Sequence, residues 1–192
     1  GTMAKPLHAG RAASAGLLAA LLARRGFTAQ SQILEASQGF AATHAGAEPS
    51  IATLDPYAGR FLIRETLFKY HAACYLTHAA IEAAAQLRKQ GHTDADAIGA
   101  VEVHVSPVLL GVCNIEAPTT GLEGKFSLRA STALALLGDD TSDLATYSDA
   151  KMREPRLIAL RDRVRVVPTE ESTPTQARVV VETQGRHAEA AA

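Results

Sequence analysis

A chain of 192 residues, 47% of them hydrophobic, is long enough to bury a sizeable core as one domain or two small ones. A net charge of -1 excludes the broad basic surface used in non-specific nucleic-acid binding, so small molecules or other proteins are the expected partners. With only Cys74 and Cys113, a disulfide-dense secreted scaffold is excluded and a reducing, cytoplasmic setting is expected.

The first element is a helix. Pro6 suits a first turn, Ala13, Leu17, Leu18, Leu21 and Leu22 recur at helical spacing, and Arg24, Arg25 and Gly26 give a cationic last turn and a stop. Lys5 and His8 fall at its N-terminal end, where unpaired N–H groups and the helix dipole favour an anion. The apolar run from Leu17 to Ala23 is too short to span a bilayer, and no cleavage site of a signal peptide follows it. Ser31 is expected to cap a short helix through Ile33, Leu34 and Ala36, closed by Gly39 and Phe40. Thr43 to Arg60, with Pro49 and Pro56, reads as loop, and Phe61 to Tyr70 as an extended segment.

Lys69-Tyr70-His71-Ala72-Ala73-Cys74-Tyr75-Leu76-Thr77-His78 is the window densest in side chains that move protons or hold anions. Thr77 is placed to cap a helix running through Ile81, Ala84 and Leu87 to Lys89, with Gly91 past its end. Cys74 and His78, four apart, share a face if that helix starts early, and Lys69 and His71 face one way on an extended segment.

A turn is expected at Asp94 to Asp96, followed by a strand over 101–105, where strict alternation puts Glu102 and His104 on the outer face. Pro107 ends it, and Cys113 to Thr120 is a loop. A second helix carries Ala130, Ala133, Leu134 and Leu137 on one face and stops at Gly138. Gly121 and Gly124 do not follow the order of a phosphate-binding loop. Asp139 to Tyr147 reads as turns and Pro155 to Leu160 as a short helix. Strands over 163–167 and 177–183 are expected to pair as a hairpin, and Gly185 to Ala192 reads as an unstructured tail. No His-x-x-x-His or Cys-x-x-Cys pair exists, so no metal site is expected. The order, helices first and then strands mixed with helices, predicts an α+β fold: part of a helical domain over 1–66 and a small α+β domain over 67–192.

Three stretches together resemble landmarks of the MmgE/PrpD family, in the same order: Gly1-Thr2-Met3-Ala4-Lys5-Pro6-Leu7-His8-Ala9-Gly10-Arg11-Ala12-Ala13, the window Lys69 to His78, and Gly121-Leu122-Glu123-Gly124-Lys125-Phe126-Ser127-Leu128. The family includes 2-methylcitrate dehydratase, cis-aconitate decarboxylase and iminodisuccinate epimerase. The resemblance implies a helical domain and a smaller α+β lid with a site between them that uses no metal or cofactor. It further implies a homodimer acting on small di- or tricarboxylates. Lys5 matches the lysine of the family's Lys-Pro-Leu-His motif, Lys69 the lysine opening its second motif and His78 the histidine ending it. Cys74 stands where the decarboxylase has a histidine and other members commonly have cysteine; His71 stands where proline is frequent. The implied catalytic set is Lys5, Lys69, Cys74 and His78, with His8 and His71 toward the substrate. Relatives carry a long helical segment before the Gly-Thr-Met motif and another after the last strand, so a chain lacking both is expected to be inactive alone. A hydro-lyase of the 2-methylcitrate dehydratase type is the leading expectation, with epimerase, decarboxylase or a non-catalytic dimerisation module as alternatives.

Overall fold

Alternating valines between two runs of alanine-rich helix set up a two-layer packing problem, and the computed structural model shows how the chain solves it. Residues 2–45, 59–91 and 96–192 are described, and they fall into two units, one of Met3–Leu67 and one containing Phe68–Ala192.

In the first unit the predicted helix is present as α1 (Ala4–Arg24), with Arg24 in its last turn. None of its residues is buried, so Leu17, Leu18, Leu21 and Leu22 are exposed. The short helix expected after Ser31 is replaced by successive turns, and α2 (Phe40–His44) begins where that helix was to end. The chain folds back there, with Phe40 N–H donating to the Ile33 carbonyl at 2.8 Å and Ala41 N–H to that of Leu34 at 3.0 Å. Ile33 and Leu34 stay exposed, and a short helix with no buried face is marginal in water. Leu62–Glu65 is a 3-10 turn, and the extended segment expected over Phe61 to Tyr70 is not a strand. Its residues are exposed throughout, leaving no half-buried face to pair. Most of the Thr43 to Arg60 loop, Pro49 and Pro56 included, lies outside the described residues, as do Asp94 and Ala95.

The second unit bears out the α+β reading. Its sheet has the order β2-β1-β3-β4, built from β1 (Ile98–Val105), β2 (Val164–Pro168), β3 (Ala177–Thr183) and β4 (Arg186–Ala191). The expected hairpin between β2 and β3 is a miss: β1 lies between them, parallel to β2 with Val101 opposite Val164, and antiparallel to β3 with Val103 opposite Val179. Five valines (101, 103, 105, 179 and 181) bury one face completely, and β1, flanked on both sides, takes the centre. The tail read as unstructured is β4, paired with β3 through a two-residue turn in which Gln184 and Gly185 have φ of 47° and 76°. Two consecutive positive φ values define the turn whose twist suits a hairpin.

Helices α3 (His78–Lys89), α4 (Gly121–Gly124), α5 (Leu128–Leu137), α6 (Asp149–Met152) and α7 (Pro155–Arg161) join this sheet. Helix α3 packs on β3, β4 and α5, and α5 in turn packs on α7 and β2. The buried face of α3 is Ala80, Ile81, Ala83, Ala84 and Leu87; its small residues let it approach Ala188 and Ala190 of β4 closely. Helix α5 stops at Gly138, whose φ of 84° is the left-handed conformation glycine adopts at a helix end.

Candidate functional site

Helix α3 starts only at His78 because the residues before it turn too tightly to join. Tyr75–Thr77 form a 3-10 turn, and the buried Thr77 hydroxyl donates to the Cys74 carbonyl at 2.8 Å, so the expected side-chain cap by Thr77 is not made. Cys74 therefore lies before the helix and does not share a helical face with His78. The backbone of the window is pinned to the segments flanking α5: Cys74 N–H donates to the Lys125 carbonyl at 2.8 Å, and Ala72 N–H to the Thr141 carbonyl at 2.9 Å.

This pinned segment and the first turns of α3 line a pocket of about 200 Å³, bounded by Phe68, Tyr70, His71, Tyr75, His78 and Glu82. The His71 and His78 rings meet edge to face with centroids 4.9 Å apart, and Tyr75 tilts against His78 at 5.2 Å. His71 is held at both ring nitrogens, Nε2 lying 2.9 Å from Glu82 Oε1 and Nδ1 2.8 Å from Thr141 Oγ1. His78 Nε2 is buried and has no hydrogen-bond partner. Burial, then the neighbouring charges of His71 and Lys69, lower the His78 pKa below its ordinary 6.5; the carbonyls of His71 and Ala73 oppose them in part. Its imidazole is thus neutral near pH 7, the form that accepts a proton.

The other expected site residues are placed as follows. Lys69 is exposed, and its ammonium donates to the Ala73 carbonyl at 3.1 Å. Cys74 packs against the core, and the Cys74 side chain, followed by burial, pushes the Cys113 thiol up; neither cysteine is in a disulfide. Lys5 and His8 are exposed on the first two turns of α1 in the other unit. His104 pairs with Glu102 at 3.1 Å on the outer face of β1, as alternation implied. Sequence reasoning missed Glu82 and Thr141, and named Tyr70 and Tyr75 only as members of the window. Glu82 had a signal, standing four residues after His78 on a helix, whereas Thr141 is 70 positions from His71 and had none. Among the described residues no group of three or more His, Cys, Asp or Glu side chains comes together as a metal site, and no helix is long and apolar enough to cross a membrane.

The family model of the MmgE/PrpD C-terminal domain matches residues 71–191, the stretch that builds this sheet and most of the pocket lining, and that of the MmgE/PrpD N-terminal domain matches residues 1–52. The chain belongs to the MmgE/PrpD family. Over 180 residues it is 26% identical to cis-aconitate decarboxylase of Mus musculus, a match covering 91% of this chain and 36% of that one. Over 169 residues it is 27% identical to cis-aconitate decarboxylase of Homo sapiens, covering 85% and 34% respectively. It spans about a third of the length of these curated relatives.

Proposed function

We propose that the protein serves a lyase of the MmgE/PrpD type, a hydro-lyase that takes a proton from the carbon next to a carboxylate of a small di- or tricarboxylate. The observation that carries this reading is the neutral, half-buried His78 in a pocket within the C-terminal family domain, beside the Lys69 charge. A neutral imidazole is matched to proton abstraction near pH 7. The C–H bond breaks toward His78, the electron pair is stabilised at the adjacent carboxylate by an ammonium group, and hydroxide departs as water after taking a proton. Lys69 supplies the ammonium; a homodimer is the assembly that goes with this reading.

A decarboxylase is the second reading, favoured by the similarity to the two cis-aconitate decarboxylases. There a C–C bond breaks with loss of carbon dioxide and the imidazole returns a proton to carbon, for which a protonated His78 would serve better. Epimerisation shares the first step and differs in reprotonation on the opposite face.

The test incubates the full-length polypeptide with a panel of di- and tricarboxylic acids and follows unsaturated product, carbon dioxide and solvent-proton exchange. Lys69→Ala and His78→Ala are each expected to lower turnover about a hundredfold or more, the usual scale for a general acid or base. Wild-type rates in both variants would end the reading, and carbon dioxide in place of water loss would select the second one.

A further inference from the structure

His71 lies inside the second family landmark without matching its usual residue, yet both of its ring nitrogens are held in the pocket. Resting on the proposed carboxylate chemistry, the geometry points to His71 as a positioning residue: anchored by Glu82 and Thr141, it holds the His78 ring in edge contact and disfavours a positive charge on it. Both His71 nitrogens are engaged by protein groups at 2.9 and 2.8 Å, which leaves neither for the substrate.

The bonding fixes the His71 ring in one orientation. A carboxylate only accepts, so Nε2 of His71 carries the hydrogen it shares with Glu82. Nδ1 faces the hydroxyl of Thr141, which is buried and can either donate or accept. Glu82 also lines the pocket, where its carboxylate is engaged by the His71 ring. His71, in edge contact with His78, opposes a positive charge there. The titratable groups bearing on the two rings are Lys69, Tyr70, Tyr75, Glu82 and Asp140, and Lys69 acts on His78 in the same direction as His71.

The experiment follows the imidazole titration of His78 by NMR in the full-length protein, its signal assigned by loss in His78→Ala. His71→Gln keeps amide partners for Glu82 and Thr141 but carries no charge, and His71→Phe keeps the ring contact without charge or hydrogen bonds. In both, the His78 midpoint is expected to move upward by roughly half a pH unit or more, and where turnover is measurable the acid limb of kcat/KM moves with it. A His78 midpoint at its wild-type value in both folded variants would overturn the inference. Because the titration is read without substrate, inactivity toward every carboxylate would count against the proposed function and leave this result standing.

Discussion

Two imidazoles in edge contact behave differently because their surroundings differ, and the difference reaches stability as well as chemistry. The folded chain holds His78 below 6.5 while the unfolded chain releases it, so the unfolded state binds more protons in the window between the lowered folded value and 6.5. Stability is therefore expected to rise with pH through that window and to level off above it. Urea unfolding measured from about pH 5 to 7 checks this, the rise being smaller in His78→Phe than in the wild type. The density of polar residues between Lys69 and His78 made both imidazoles legible in the sequence. The thiol was legible only as a residue type, because the 3-10 turn of Tyr75–Thr77 keeps it off α3 and at the core, beside Cys113.

Elements whose signals are local were readable, and those set by pairing were not. Helix α5 could be placed because Gly138 and the spacing of Ala130, Ala133 and Leu134 lie within its own span. Gly138→Ala, which puts a side chain at a φ of 84°, is expected to cost about 1 kcal/mol or more in chemical denaturation. The capping box of α4 follows the same local logic: Thr120 Oγ1 accepts from Glu123 N–H at 3.2 Å, and Glu123 Oε2 accepts from Thr120 N–H at 3.0 Å. Thr120→Ala is expected to lower stability by about 0.5–2 kcal/mol, read as a shift in the urea midpoint. The β3–β4 hairpin escaped notice because Arg186–Ala191 is rich in alanine, a poor strand former, and its pairing comes from the Gln184-Gly185 turn. Gln184→Asn, a residue that tolerates positive φ better, is expected to raise stability by about 0.5 kcal/mol.

At the scale of the whole molecule the apolar burial is uneven. Every buried hydrophobic residue described lies between Ala73 and Val181, while α1 buries none of its residues. A chain of residues 68–192 is therefore expected to unfold cooperatively in calorimetry, with a midpoint within a few degrees of the whole polypeptide's; a broad, non-cooperative transition would show that the first unit supports the second. Exposed Leu17, Leu18, Leu21 and Leu22 were legible as a helical stripe, yet spacing alone does not say whether a stripe finds a cover.

The central place of β1 has a consequence for how the protein is made. Its parallel neighbour β2 follows four helices later, and its antiparallel neighbour β3 later still. A nascent polypeptide emerging from the ribosome carries Val101, Val103 and Val105 with both strand edges bare until most of the C-terminal half has been synthesised. That interval is when these valines are most open to sticking to the wrong neighbour, so synthesis halted before Val164 should yield aggregates where completed chains stay dispersed.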